Sequence, residues 1–316
     1  MLEIIFLGTG GSIPTTGPPR RNHPAIAIKH QGNIILLDAG EDVQRQLAKG
    51  NIGLNKPMSV FISHMHADHI LGLPGLLLRF ALLGRQRALQ VYGPPELIPY
   101  IKTHQKTINL GTTFETMIHG IEGGAIFGLN HLTVRSFEVE HRGFALGFEV
   151  VYQRPTGKFF PEKAEQLGVP KGPLWNKLSS GESVILDDGR EVHPREVTDT
   201  QPLPIKIVYS GDTRPCSSLR KAATDANILI CEAMYSSEHA DLAEERGHMT
   251  AIEAANLALE CNVTLLALTH YSPRYGDGEN IITEAQSIHQ NSILARDFMR
   301  IQLDTDGTYE IVEPDE

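Results

Sequence analysis

The sequence predicts an α/β protein, and three observations carry that prediction. Short apolar runs rich in Ile, Val and Leu alternate along the chain with amphipathic, helix-like stretches. Run after run stops on a residue of metal-ligand or acid–base type: Asp38, His64, His141, Asp212, Glu232 and His270 each stand at or just beyond a strand end. At 316 residues with 41% hydrophobic content, the chain can bury a sizeable core, as one large domain or as two fused halves.

Taken in order, Leu2 to Leu7 is the first apolar run, closed by Gly8-Thr9-Gly10-Gly11. These glycines superficially resemble a dinucleotide loop. Ile13 and then Pro14, Pro18 and Pro19 stand where a phosphate-binding helix would begin, so a tight turn and an irregular loop are expected, with Arg20, Arg21 and Asn22 solvated. Ala25–Lys29 and Asn33–Asp38 bracket Gln31-Gly32 as a hairpin, and a helix follows over Val43–Leu47. Asp38 reads equally as a helix cap and as a carboxylate that orients a metal-bound histidine.

Met58–Ile62 is a strand, and Pro74–Leu83 an apolar helix with Arg79, Arg85 and Arg87 as a solvated face. Ala88–Tyr92 is a further strand before a helix start near Pro95. Thr103–Gly128 offers little chemistry, and His104, His119 and His131 lie outside any ligand spacing. Leu132–Glu140 alternates as a strand and ends at His141, with Phe144–Val151 returning as its hairpin partner. Ser183–Leu186 and Asp187-Asp188-Gly189-Arg190 signal another hairpin. The remaining strands are Ile205–Tyr209, Ile228–Cys231 and Val263–Thr269, with an amphipathic helix over Thr250–Leu259 preceded by His248. A last helix is expected over Ile282–Arg300, then closing strands within Ile301–Val312.

The densest chemistry lies in Phe61–Leu73, where His64, His66, Asp68 and His69 follow a strand within six positions. Imidazole suits zinc, and Asp adds charge compensation. In a chain turning out of a strand, His64 and His66 alternate toward one ion while Asp68 and His69 project toward a second.

Composition removes several function classes. A formal charge of −10 argues against general polyanion binding, so a nucleic acid would have to meet a local basic patch. One exists: over Gln153–Leu178, Arg154, Lys158, Lys163, Lys171 and Lys177 face only Glu162 and Glu165, a net +3, and Pro and Gly punctuate the stretch. It reads as an excursion from the core suited to an RNA backbone. Cys216, Cys231 and Cys261 are too few and too irregular for a disulfide framework or a Cys-rich zinc site. No run approaches the roughly 18 apolar residues of a membrane helix. The opening Met-Leu-Glu-Ile-Ile-Phe-Leu-Gly reaches a glycine too soon for a signal peptide, so no membrane partner and a cytoplasmic location are expected, and the sequon Asn262-Val263-Thr264 is discounted.

Together the strand-end residues resemble those of the metallo-β-lactamase superfamily, whose HxHxDH signature stands here as His64-Met65-His66-Ala67-Asp68-His69. The resemblance implies an α/β fold of the αββα sandwich type with the site at one edge of two sheets: a single domain over 1–316 with 153–200 as an inserted substrate-binding arm. Within the superfamily the chain resembles the ribonuclease Z family of tRNA 3′-processing endoribonucleases over nearly its whole length. The segments that carry this include Phe6-Leu7-Gly8-Thr9-Gly10-Gly11, Asp38-Ala39-Gly40-Glu41, Leu71-Gly72-Leu73-Pro74-Gly75-Leu76 and Glu140-His141-Arg142. Gly211-Asp212-Thr213-Arg214-Pro215, Gly247-His248-Met249-Thr250 and Leu268-Thr269-His270-Tyr271-Ser272 complete them.

By position, the resemblance implies that His64, His66 and His141 hold one zinc, that Asp68, His69 and His270 hold the other, and that Asp212 bridges them. Two Zn2+ per subunit are expected, with Mn2+ or another divalent ion as alternative. A bridging Asp212 disfavours a true β-lactamase, where the resemblance would call for Cys among the ligands of the second metal. The implied reaction removes 3′ trailers from precursor tRNA by metal-hydroxide attack on the phosphodiester, with Asp68 orienting the nucleophile or taking its proton. His248, paired with Glu232, would protonate the leaving oxygen; the residues alone would leave His248 as a histidine at a helix start.

The family's arm is matched by Gly172-Pro173-Leu174-Trp175-Asn176-Lys177-Leu178. Asn176 stands where glycine is usual, Ser179-Ser180 where lysine is common, and Met249 where serine is usual. The expected RNA contacts are Arg154, Lys158, Lys171, Gly172, Pro173, Lys177 and Arg274. A homodimer is implied, because in the family one subunit's arm serves the other's site. Two rivals stand beside this reading: a phosphodiesterase on small or cyclic nucleotides, and a non-catalytic RNA-binding scaffold.

Overall fold

The computed structural model describes residues 2–11, 21–53, 55–108, 110–129, 131–153, 156–200, 203–304 and 306–314. The loop after Gly11, with Pro14, Pro18, Pro19 and Arg20, therefore lies outside the described residues, as does Arg154. Seventeen strands run in order: β1 (Leu2–Gly8), β2 (Ala25–His30), β3 (Asn33–Leu37), β4 (Met58–Phe61), β5 (Leu89–Gly93), β6 (Thr116–Gly120), β7 (Ile126–Leu129), β8 (Leu132–Glu138), β9 (Leu146–Tyr152), β10 (Val184–Ile185), β11 (Glu191–Val192), β12 (Ile205–Tyr209), β13 (Ile228–Glu232), β14 (Leu265–Thr269), β15 (Ser292–Leu294), β16 (Arg300–Leu303) and β17 (Tyr309–Val312). The helices are α1 (Val43–Lys49), α2 (Ala67–Ile70), α3 (Gly72–Leu82), α4 (Leu97–Thr107), α5 (Pro161–Gln166), α6 (Pro173–Ser179), α7 (Pro194–Val197), α8 (Ser217–Ala223), α9 (Ala240–Arg246), α10 (Ala251–Glu260) and α11 (Glu279–Gln286).

The chain divides into two compact units. The larger comprises Met1–Phe127, Val134–Val150 and Lys206–Glu316. Its strands form one sheet in the order β17-β16-β1-β2-β3-β4-β5-β6 and belong to a second in the order β15-β14-β13-β12-β9-β8-β7. Strands such as Ile34–Leu37 and Ile228–Cys231 are apolar at every position because both faces are buried. On one face of the first sheet, Ile34, Leu36, Val60 and Ile62 meet Val43, Leu47, Leu73, Leu76, Leu77 and Phe80 of α1 and α3. On the second, Leu229, Cys231, Leu266 and Leu268 meet Leu219 of α8, the small side chains Ala254, Ala255 and Ala258 of α10, and Ile281 of α11. The other faces meet each other. Phe61 of β4 packs edge-on against Phe148 of β9 at 5.4 Å and Phe127 of β7 at 5.7 Å, and Tyr92 of β5 lies 4.2 Å from Phe127. The layers are thus helix, sheet, sheet, helix, the αββα arrangement expected. Each buried ring between the sheets contributes about 2–3 kcal/mol relative to exposure.

Parallel pairing decides where the chemistry gathers. β3, β4, β5 and β6 run parallel in the first sheet, as do β12, β13, β14 and β15 in the second. Their carboxyl ends therefore share an edge within each sheet, and the loops after β3, β4, β12 and β14 carry Asp38, His64, Asp212 and His270 there. Gly72, at the start of α3, lets this edge close: its N–H donates to Ala39 O at 2.9 Å, and a Cβ would lie 1.9 Å from Gly40 O.

The smaller unit comprises Gly128–Thr133 and Val151–Ile205. It holds α5, α6, α7 and the β10–β11 hairpin around its own small core of Ala164, Val169, Leu178, Val184, Val192 and Val197. α5 and α6 both start on a proline, Pro161 and Pro173, whose fixed φ suits a first helical turn. Trp175 is tied in by donating from Nε1 to Val169 O at 3.0 Å and by its ring 5.4 Å from Phe159.

Two expectations are corrected. The helix over Ile282–Arg300 is only α11; Ser292–Leu294 instead pairs parallel with Leu266–Leu268 as the edge strand β15. A short apolar run such as Ile293-Leu294-Ala295 fits either period, and the open edge of β14 decides it. Thr103–Gly128, which offers little chemistry, carries β6 and most of β7, the outer strands of the two sheets. Arg85 is buried rather than solvated, donating to Lys56 O, Arg87 O and Ala88 O.

Candidate metal centre

The first carboxylate to place is Asp38. It leaves β3 with φ +59°, a left-handed conformation that Asp tolerates better than most residues, and is fully buried. Its carboxylate accepts from Ser63 N at 2.7 Å, Ser63 Oγ at 2.9 Å and Tyr209 OH at 2.7 Å, and it holds His69 Nδ1 at 2.7 Å. Asp38 is therefore not a helix cap. It aims the His69 ring, leaving Nε2 as the free ligand position. Ser63 and Tyr209 are functional residues the sequence reading passed over. Both stand at the ends of strands that deliver ligands, which was the available signal.

The other imidazoles are aimed in the same manner. His64 Nδ1 lies 2.9 Å from Ser63 Oγ, and His141 Nδ1 donates to Gly247 O at 2.7 Å. Gly247 closes α9 in the left-handed conformation at φ +73°, which presents that carbonyl. His270 also has positive φ, +53°, and its N–H donates to Thr9 O at 2.9 Å. Such backbone strain is held at sites where a side chain must point one way.

Among the described residues the candidate ligand atoms converge in three overlapping groups: His64, His66, His141 and Asp212; Asp68, His69 and His270; and Asp212, His248 and His270. His66 Nδ1 and His141 Nε2 are 3.1 Å apart, and His64 Nε2 is 3.7 Å and His141 Nε2 4.0 Å from Asp212 Oδ2. In the second group His69 Nε2 lies 3.4 Å from His270 Nε2 and 3.8 Å from Asp68 Oδ2, with His270 Nε2 to Asp68 Oδ2 at 3.3 Å. Asp212 touches this group as well, with Oδ2 3.4 Å from His69 Nε2 and Oδ1 3.4 Å from His270 Nδ1. Ligands about 2.0–2.1 Å from a tetrahedral zinc lie roughly 3.4 Å from one another, so the spacing suits such a shell.

Polar satisfaction points the same way. His64 Nε2, Asp212 Oδ1 and His270 Nδ1 are buried without a hydrogen-bond partner, and two imidazole nitrogens facing each other at 3.1 Å need a shared proton or cation. Burial and neighbouring imidazoles hold His64 well below the usual histidine range, so its lone pair is available. Burial opposes the charged form of His69, yet the Asp212 and Asp38 carboxylates lift it well above that range. Asp68 is held far below the usual carboxylate range by His270 and His69 despite its burial. A site that draws positive charge this strongly fits a divalent cation.

The third group brings in His248, which is paired with Glu232. Glu232, at the end of β13, accepts from Thr213 N at 2.6 Å and Met249 N at 3.1 Å, and lies 3.0 Å from His248 Nδ1. Burial pushes His248 down, but the Glu232 carboxylate outweighs it and raises the imidazole to about 9. His248 Nδ1 is 4.0 Å from Asp212 Oδ2, which places the pair against the ligand cluster.

The expected RNA contacts are scattered differently. Arg274 is exposed on the turn Pro273–Tyr275, its guanidinium 5.5 Å over the Tyr235 ring. In the smaller unit Lys158, Lys171, Gly172, Pro173 and Lys177 are exposed, Lys171 lying 3.6 Å from Glu165 and 5.4 Å over Trp175. The rest of that unit is acidic, with Glu182, Asp187, Asp188, Glu191, Glu196 and Asp199 opposing Arg190 and Arg195. Arg21, read as a solvated loop charge, is buried: its guanidinium stacks 3.4 Å over Tyr271 and donates to Tyr271 O at 2.9 Å, bracing the segment that carries His270.

Two facing sheets with a His/Asp cluster at the strand ends define the metallo-β-lactamase class. Among solved structures, the Bacillus subtilis metallo-β-lactamase fold protein YhfI is similar over 95% of this chain and 98% of its own, with TM-score 0.68 and 17% identity, a likeness of fold. Human tRNase Z, short form, is similar over 95% of this chain and 98% of its own, with TM-score 0.67 and 26% identity. Residues 2–142 match the family model described as Anti-Pycsar protein Apyc1. The ribonuclease Z of Methanosarcina acetivorans is 40% identical over 307 residues, spanning 96% of this chain and 98% of that protein. That of Rippkaea orientalis is 35% identical over 309 residues, at 96% and 98%. The chain belongs to the ribonuclease Z family.

Proposed function

We propose that this protein is a divalent-metal-dependent endoribonuclease that removes 3′ trailers from precursor tRNA. The observation that carries the reading is the placing of His248 and Glu232 against the ligand cluster, which sets a proton donor beside a phosphodiester-cleaving centre. Two zinc ions suit the site, one held by His64, His66 and His141, the other by Asp68, His69 and His270, with Asp212 between them. Bound there, the ions would supply Lewis-acid activation and charge stabilisation at the phosphate.

The chain's own residues do the rest. Asp68, ionised and at the cluster's edge, orients the attacking water or takes its proton. His248 gives a proton from its outward nitrogen to the leaving 3′ oxygen while Glu232 holds the imidazolium. Arg274 beside Tyr235, and Lys158, Lys171 and Lys177 with the Gly172-Pro173 helix start on the smaller unit, take the RNA backbone. We assign the 153–200 stretch the role of substrate-binding arm. Arg154 belongs to the same basic stretch.

A homodimer is supported by α3 and its N-cap, where Leu71, Leu78 and Leu82 recur at helical spacing on an exposed face, Leu82 being 78% exposed. A cytoplasmic location accords with a tRNA substrate, and no helix among the described residues is long and apolar enough to cross a membrane. Incubating the protein with a 3′-extended precursor tRNA, with and without chelator, tests the function: metal-dependent release of the trailer is expected. Hydrolysis of small diesters without tRNA cleavage, or binding without product, overturns it.

A further inference from the structure

His248 is held by more than Glu232. Arg214 follows the ligand Asp212 by two residues, and its guanidinium donates from Nη1 to His248 O at 2.6 Å. The same guanidinium grips Glu253 with two bonds, Nη1 to Oε2 at 2.9 Å and Nη2 to Oε1 at 2.5 Å. Glu253 in turn closes the capping box of α10, accepting from Thr250 N at 2.9 Å while Thr250 Oγ1 accepts from Glu253 N at 3.2 Å. At its other end Arg214 donates its backbone N–H to Glu140 O at 2.7 Å, one residue before the ligand His141.

We infer that Arg214 and Glu253 form a positioning clamp that sets His248 at proton-transfer distance from the leaving oxygen. One planar fork spans the loop that carries Asp212 and the first turn of α10, and it takes the carbonyl of the histidine itself. His248 N–H donates to Ala243 O at 2.8 Å, so both polar groups of its backbone are fixed, one by α9 and the other by Arg214. The fork matters: lysine has a single charged nitrogen and cannot bridge a carboxylate bidentately while also donating to a carbonyl in the same plane. Arg214 and Glu253 are 24% and 29% exposed, too open for the pair to serve the fold as a buried ion pair would. The clamp acts through the imidazole and touches no reacting atom.

This inference rests on the endoribonuclease reading for its chemistry, and the test separates the two. The zinc-loaded protein and its Arg214→Met, Arg214→Lys and Glu253→Gln variants are assayed on a 3′-extended precursor tRNA and on bis(p-nitrophenyl) phosphate. The nitrophenolate leaves without a proton, so that substrate bypasses His248. Arg214→Met is expected to lower kcat on precursor tRNA about 100-fold, with KM and zinc content unchanged, and to spare bis(p-nitrophenyl) phosphate hydrolysis. Arg214→Lys and Glu253→Gln are expected to be intermediate.

Equal loss on both substrates, or unchanged kcat on tRNA, overturns the clamp. A second readout needs no turnover: in zinc-loaded wild type the His248 Nδ1–H held by Glu232 gives a protected, downfield proton resonance. That resonance is expected to broaden in Arg214→Met, and its persistence overturns the clamp even if the wild type cuts no tRNA at all. Failure of wild-type tRNA cleavage alone strikes the function and leaves this resonance to decide the clamp.

Discussion

Asp38 and His248 show how single residues act here through what they hold. A carboxylate that receives four hydrogen bonds is spent on orientation, and its product is the direction of one imidazole, that of His69. Asp38→Asn keeps the volume but can no longer accept at both oxygens, so His69 loses its fixed tautomer. Zinc affinity is expected to fall roughly 10- to 100-fold, measured by competition with a chromophoric chelator; unchanged affinity would return Asp38 to a purely architectural role. His248 is the opposite case, a residue whose loss should leave the ions in place. His248→Ala is expected to keep full zinc content and to lose about 100- to 10,000-fold in turnover of precursor tRNA, and undiminished turnover would remove it from the mechanism.

At the scale of elements, parallel strands bring residues far apart in sequence to one edge, and the sequence carried much of this. The strand ends at Asp38, His64, His141, Asp212, Glu232 and His270 were legible because each apolar run stopped abruptly on a polar ligand type. What could not be read was whatever depends on a neighbour rather than on the run itself. Ser292–Leu294 is a strand only because β14 leaves an open edge, and β6 and β7 have too little alternation to announce themselves. Tyr209 looked like one more β-branched strand's last residue until Asp38 arrived beside it from another sheet. Buried arginines such as Arg21 and Arg85 are likewise invisible, since nothing in a one-dimensional charge pattern tells a solvated guanidinium from one satisfied by carbonyls.

The α5–α6 stretch makes its own prediction. In the smaller unit the net positive charge lies in the 153–178 stretch with Arg154, Lys158, Lys163, Lys171 and Lys177, while the remainder, with Arg190 and Arg195 outnumbered, is net acidic. Replacing Lys158, Lys171 and Lys177 together by Ala is expected to raise KM for precursor tRNA and to flatten its salt dependence by about 0.7–0.9 log units per lost contact, with bis(p-nitrophenyl) phosphate hydrolysis intact. An unchanged salt slope would place the RNA elsewhere. Leu78→Asp on α3 tests the exposed leucine face, with a shift from dimer to monomer expected in sedimentation; a chain already monomeric would overturn the dimer.

For the whole molecule, the site is also a matter of stability. Asp38, Asp68 and Asp212 lie within one cluster, two of them buried, in a chain of net charge −10. Closing two sheets over three carboxylates opposes folding unless positive charge comes with them, and His69 and His248 supply part of it. A cation bound by the folded chain and not by the unfolded one stabilises by mass action. At a free concentration a thousandfold above its dissociation constant this is worth about 4 kcal/mol, or roughly 6 °C in Tm for a chain of this size. Chelator should therefore lower Tm by that order, and added zinc should restore it in a concentration-dependent way. Ligating imidazoles and carboxylates must be unprotonated, so metal-linked stabilisation is greatest on the alkaline side and is lost as pH falls, with protons competing first at His69, which Asp212 and Asp38 lift well above the usual histidine range. Calorimetry with and without chelator between pH 8 and 5 checks both: the two Tm curves should converge on the acid side. If they coincide at pH 8, the folded cluster does not bind the ion more tightly than the unfolded chain does, and the ligand assignment fails with it.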